Sequence, residues 1–229
     1  YSSAASDVYK RQGWENIYKD LKVIPAFNFK IINAIDYQYN KTGNLFLVEA
    51  SPGTRDGVRD RFYQNMIQHN DMVKLYGLLE KSIQADSVLR LHHRSNDLDA
   101  WKKKYKSIKI DRGLEDFNKI IKKSRLVVFN YDSAGLLELL ALNIPVICFF
   151  RGLEGGLLPS ARPYYQLLKD AGILMTTPEE VELFIRENWD NIDLWWDSNS
   201  VKNARYEFCK SYSRKVTNPV GMLKKLFLA

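Results

Sequence analysis

Two groups of residues in this sequence have types and spacing suited to phosphate chemistry. Arg90, His92, His93 and Arg94 cluster at the end of the apolar run that begins at Ser87. Guanidinium groups grip phosphate oxygens as a fork, and an imidazole beside them adds a donor that titrates near neutrality. The second group is the turn Asn130-Tyr131-Asp132-Ser133-Ala134-Gly135, which joins a β-branched run to an apolar helical stretch. Small residues there let a ligand approach the backbone, and the N–H groups and dipole at a helix start favour an anion. Ser133 adds a hydroxyl, and Glu138, one turn further on, suits ribose or sugar hydroxyls. The rival reading is that Asp132 or Ser133 only caps the helix.

Other chemistries find less support. Asp97-Leu98-Asp99 has the DxD spacing of some metal sites, but such short matches are common by chance and Ser95-Asn96-Asp97 reads as a turn. Adjacent histidines on a strand point to opposite faces, and His69 lies on the preceding helix, so a zinc site is not expected. Neither GxxxxGK[ST] nor GxGxxG occurs, and no nucleophilic triad is visible. Gly152, Gly155 and Gly156 suggest a lid or a long connection.

The elements that must position these residues follow from hydrophobic periodicity. Apolar runs of strand length occur at 44–50, 87–92, 107–110, 125–130, 144–150 and 173–175. Arg125–Asn130 is continuous and β-branched rather than alternating, the mark of a strand buried on both faces. Helices are predicted over 59–84, 114–123, 134–142 and 161–171, the last ending at Gly172. Another starts at Thr177-Pro178-Glu179-Glu180, and helices continue to about Phe227. Alternation at this spacing predicts an α/β fold, a doubly wound, mostly parallel Rossmann-like sheet with C-terminal helices. In such sheets ligands bind beyond the carboxyl ends of the strands, which places both groups at the same edge.

The chain has 229 residues, 45% of them apolar, enough for a substantial core. No run reaches the ~18 apolar residues of a membrane span. Two cysteines make no disulfide framework and point to a reducing compartment. A net charge of +7 suits an anionic partner without choosing among nucleotide, nucleic acid and phospholipid surface. Lys102-Lys103-Lys104 and Lys122-Lys123 are the patch that a nucleic-acid-binding module would use, although such runs are usually solvated helix faces. Trp189, Trp195, Trp196, Tyr206, Phe208 and Tyr212 read as core and docking residues rather than a platform for bases. Leu223-Lys224-Lys225-Leu226-Phe227-Leu228 is short, apolar and basic, a candidate membrane-surface contact. Residues 2–12 resemble the in-frame translation of a transposase adapter used in sequencing libraries. The expected organisation is therefore an artefactual arm over 1–12, a linker over 13–42 and a Rossmann-like domain over 43–229, with natural sequence upstream of Gly13 missing.

Several segments together resemble one family: Ser124–Val128, Asn130–Ser133, Leu137–Val146, Ala161–Tyr165, Ala171–Ile173, Pro178–Glu180, Trp195-Trp196, Ala204-Arg205, Phe208 and Tyr212. They are similar to the C-terminal half of the transferases of bacterial surface-carbohydrate biosynthesis. Those GT-B-like proteins are distantly similar to the Kdo and glycerophosphate transferases that build capsules and teichoic acids. The resemblance covers about 44–212 and implies two Rossmann-like domains facing across a cleft, the second holding a nucleotide-activated sugar or polyol donor. It implies donor and phosphate contacts at Arg90, His92, Arg94, Asn130, Ser133 and Glu138. Gly135 and Leu136 depart from the family pattern, where Thr or Ser and a larger residue are common. It further implies a carbohydrate or lipid-linked acceptor, a catalytic base in a missing N-terminal domain, and no metal, cofactor or nucleic acid. The implied location is cytoplasmic, at the inner face of the membrane. A non-catalytic Rossmann-like scaffold is the other alternative.

Overall fold

A computed structural model describes residues 27, 28, 31, 39–49, 59–92, 95, 97–151, 157 and 159–227. The adapter-like arm, Arg94 and the glycines at 152, 155 and 156 lie outside the described residues. In chain order the elements are β1 (Asn44–Val48), α1 (Arg59–Leu78), α2 (Lys81–Asp86), β2 (Val88–Arg90), α3 (Leu98–Lys104), β3 (Lys109–Asp111) and α4 (Phe117–Lys122). They continue with β4 (Ser124–Phe129), α5 (Ala134–Ala141), β5 (Val146–Phe149), α6 (Arg162–Asp170), β6 (Leu174–Met175) and α7 (Pro178–Asn188). A short 3₁₀ turn (Trp189–Asn191) leads into α8 (Ile192–Trp196), α9 (Asn199–Tyr212) and α10 (Pro219–Phe227).

The six strands form one sheet in the order β3-β2-β1-β4-β5-β6, every pair parallel. The expected doubly wound sheet is therefore present. The chain winds outward from β1 to β3, returns, and winds the other way from β4 to β6. Between β1 and β4 lies the point where the winding reverses, and the crossovers diverge there to leave a crevice.

The continuous apolar runs are explained by a core on each face. Phe46, Val48, Val127, Phe129, Val146 and Cys148 belong to one buried cluster, with Leu136, Leu140, Leu168 and Phe208 from α5, α6 and α9. Leu45, Leu47, Leu126, Val128, Ile147 and Phe149 belong to the other, with Met72, Leu75 and Trp101 from α1 and α3 and Val181 and Ile185 from α7. Alternate residues thus serve opposite layers, and neither face of β1, β4 or β5 meets water.

Local signals set several boundaries. Thr177 caps α7 by accepting from the Glu180 N–H at 3.2 Å, and the Glu180 carboxylate reaches back to the Thr177 N–H, closing the capping box. Gly172 takes φ +71° just past α6, a conformation that glycine adopts without penalty.

Two helix boundaries differ from expectation. The helix predicted over 59–84 breaks after Leu78, and α2 restarts at Lys81. The Gln84 amide explains the break. It donates to the carbonyls of Tyr76 at 2.9 Å and Leu79 at 2.8 Å, supplying partners where the ladder ends. The helix predicted from 114 starts only at Phe117, because Asp116 accepts from the Asn118 N–H at 2.9 Å and caps it there. Helix α3 carries no strong periodic signal. It is only seven residues long, and its anchor is one fully buried side chain, Trp101.

Candidate functional site

At the reversal point the carboxyl ends of three strands enclose a cavity of about 140 Å³. Val48 and Glu49 close it from β1, Arg90, Leu91 and His92 from the end of β2, Gly113 from beyond β3, and Tyr131 from the turn after β4.

Arg90 is held in place from three sides. Its Nη1 lies 3.0 Å from Asp111 Oδ2 and donates to the Glu115 carbonyl at 3.3 Å, and the guanidinium stands over the Phe117 ring at 5.2 Å. Both polar contacts use Nη1, so among the described residues Nε and Nη2 carry no partner. Asp111 therefore steers the fork without consuming it. His92 is exposed at the mouth of the same cavity.

The turn after β4 is committed largely to its own structure. Asn130 is buried and donates through Nδ2 to the Gln68 carbonyl at 2.8 Å, which ties the turn to α1. Ser133 is buried and accepts from the Leu136 N–H at 3.2 Å, capping α5 as the rival sequence reading held. Asp132 accepts from the Tyr165 hydroxyl at 2.7 Å. What the turn offers the cavity is Tyr131, whose phenol pKa burial pushes up against the opposing pull of Ser133 and Arg90. Of the six expected contacts, Arg90 and His92 line the cavity. Asn130, Ser133 and the half-buried Glu138 do not, and Arg94 is outside the described residues.

Sequence reasoning missed a second arrangement, joined to the cavity wall through Glu49. Glu49, the first residue past β1, is 4% exposed. Its Oε1 meets His69 Nδ1 at 2.6 Å, and its Oε2 accepts the Trp101 indole N–H at 2.7 Å. The imidazole packs edge-on against Trp101 with centroids 5.8 Å apart. Asp97 brings a third acidic or basic ligand atom, all three lying within 4.8 Å of one another. Among the described residues this is the one cluster with three potential metal ligands, yet both Glu49 oxygens are already bonded. Asp97 also accepts from the Ser95 hydroxyl at 2.8 Å. A separation of 2.6 Å between nitrogen and oxygen suits a shared proton and leaves no room for an ion between them. Asp99 stands exposed on the first turn of α3, so the DxD spacing does not converge. In the sequence, only a carboxylate at the end of a buried strand signalled this cluster. Its partners lie 20 and 52 residues away.

Burial raises the Glu49 pKa above 4.5, and the bonds from His69 and Trp101 only partly offset it. The Glu49 hydrogen bond raises His69 above 6.5, against the opposing effect of burial. Both groups therefore hold protons more tightly in the folded chain than in the unfolded one. His69 stabilises fully below pH 6.5 and loses that contribution as pH rises through its folded value. Glu49 begins to cost stability as pH rises above 4.5. The signs agree. The melting temperature of the native chain minus that of Glu49→Gln is expected to fall continuously from pH 4.5 to beyond 6.5. Paired thermal melts across that range measure it, and a difference that rises with pH would refute the assignment.

Residues 1–227 match the model of a family described as LIC12162 family transferase. No curated protein matches the chain. Among solved structures, WaaG, described as a glycosyltransferase involved in lipopolysaccharide biosynthesis, superposes with a TM-score of 0.52 at 12% identity. The match covers 91% of this chain and 56% of that one, so the chain spans a little over half the length of the structure it resembles. The likeness is one of fold, and it agrees with the expected Rossmann-like half of a GT-B-like protein.

Proposed function

The chain belongs to the LIC12162 family of transferases, and on that premise we propose that it binds a nucleotide-activated sugar or polyol donor in the cavity at the reversal point. The observation that carries this reading is the placement of a steered, incompletely used guanidinium, Arg90, in that cavity beside His92. A diphosphate there would meet the Nε and Nη2 donors of Arg90 and the imidazole of His92. Arg94, two residues past His92 in the chain, would add a second guanidinium, while Asn130 and Ser133 would serve by holding the turn that carries Tyr131. The transferred group would pass to a carbohydrate or lipid-linked acceptor in bacterial surface-polysaccharide synthesis, at the inner face of the membrane. The fold of WaaG supports this reading, as does its described part in lipopolysaccharide biosynthesis. Among the described residues no helix is long and apolar enough to cross a membrane. Surface contact would fall to α10, whose last turns carry Leu223 and Lys224.

The test is calorimetry with CDP-, CMP-, UDP- and GDP-linked donors. One of them is expected to bind, and Arg90→Gln to weaken it roughly 10–100-fold, the worth of a charge-assisted hydrogen bond. No binding at millimolar donor, or binding unchanged in Arg90→Gln, would refute the assignment.

A further inference from the structure

We propose that His69 is the proton-transfer residue of this site, with Nε2 as the exchanging atom and Glu49 as its positioning residue. The proposal rests on the transferase reading above and departs from one implication of the family resemblance, placing the group that handles the acceptor's proton in this chain rather than in an N-terminal domain.

Three observations carry it. The first is the placement of Glu49, whose backbone continues the central strand β1 into the cavity wall. A buried carboxylate costs several kcal/mol in desolvation unless its partners are well placed, and an apolar residue would serve the fold as well or better. The second is the geometry. Oε1 at 2.6 Å from Nδ1 holds the ring proton on Nδ1, while the Trp101 N–H at 2.7 Å prevents the carboxylate from turning away. Nε2 is then the basic nitrogen. The third is access: the His69 side chain is 23% exposed although its partner Glu49 is 2% exposed, so the ring is not sealed in the core. Among the described residues Nε2 has no hydrogen-bond partner.

The charged groups around the imidazole are Glu49 on β1, Asp97 at the start of α3 and Lys104 at the end of α3. The two carboxylates favour the imidazolium and the lysine opposes it. This balance suits a ring that accepts a proton during reaction and is stabilised once it has done so. In the proposed step, Nε2 takes the proton from the acceptor hydroxyl. The oxygen lone pair forms the new bond to the transferred group. The bond from that group to the leaving phosphate oxygen breaks, its electron pair departs with the nucleotide, and His69 later returns the proton to water.

The experiment is ¹⁵N NMR of the histidine side chains in the full chain across pH 5 to 9, without ligand and with UDP or CDP. Neutral His69 is expected to carry its proton on Nδ1 and to titrate above 6.5. In Glu49→Gln the titration should move back toward 6.5. The nucleotide should shift the Nε2 resonance in the native chain. A proton on Nε2, or a titration unmoved in Glu49→Gln, would overturn the role of His69 even if nucleotides bind. A nucleotide that binds, with weakened binding in Arg90→Gln, but leaves Nε2 unshifted would overturn it as well. Failure of every nucleotide to bind, with the Nδ1 tautomer and the Glu49 effect intact, would instead overturn the donor reading and with it the transfer step assigned to His69, leaving only the Glu49–His69 pairing in place.

Discussion

Phe129→Ala is expected to lower the melting temperature by roughly 6–20 °C, the equivalent of about 3–5 kcal/mol for emptying a buried phenyl site. Phe129 ends β4 at 2% exposure and pairs with Val48 on one side and Cys148 on the other. Its ring meets Tyr131 edge-on with centroids 5.8 Å apart, and a Cβ added at Gly135 would lie 2.9 Å from its Cζ. The ring therefore fills the space under the turn that carries Tyr131 into the cavity. Its loss should also weaken donor binding, since Tyr131 would lose its backing. Phe129→Leu keeps most of the volume and should cost far less. Thermal melts and donor calorimetry on the two variants measure both effects. A shift below about 3 °C for the alanine variant, the size of a ~1 kcal/mol change, would show that the turn is supported elsewhere.

Asn143→Ala is expected to cost about 3 kcal/mol, although Asn143 is exposed, because it holds a knot of buried groups. Asn143 adopts φ +60°, which asparagine tolerates better than alanine. Its Oδ1 accepts from Arg205 Nη1 and, at 3.0 Å, from the Trp196 indole N–H. The Arg205 guanidinium lies over the Trp196 ring at 4.2 Å, and the residue is 9% exposed. Removing the amide would leave a buried cation short of an acceptor, and burial already lowers the Arg205 pKa. Asn143→Gly separates the two causes. It relieves the backbone strain but not the lost bonds, so it should recover about 1 kcal/mol of the alanine variant's loss. Chemical denaturation of both variants gives the comparison, and equal stabilities would eliminate the backbone contribution.

Much of the fold was legible because its signals are local. Continuous β-branched runs such as Leu126–Phe129 are strands buried on both faces wherever they sit, since helices must cover both sides of a parallel sheet. The break after Leu78 was not legible, because it depends on the Gln84 side chain reaching back to carbonyls that only a broken helix exposes. Arg90 and His92, neighbours in the chain as well as in space, both line the cavity. Asn130 and Ser133 lie on the turn after β4, but the packing of α1 and the capping of α5 use them for structure.

Sequence alone determined the alternation of strands and helices, the cap at Thr177 and the stop at Gly172. Each of these depends on a few consecutive residues and the conformations open to them. Only the tertiary structure decided that β1 lies beside β4, and that Glu49 meets His69 across 20 residues and Trp101 across 52. Those contacts exist because two crossovers, through α1 and α3, return over the same end of β1. No local preference encodes where a crossover lands, since that is settled by which apolar faces bury one another.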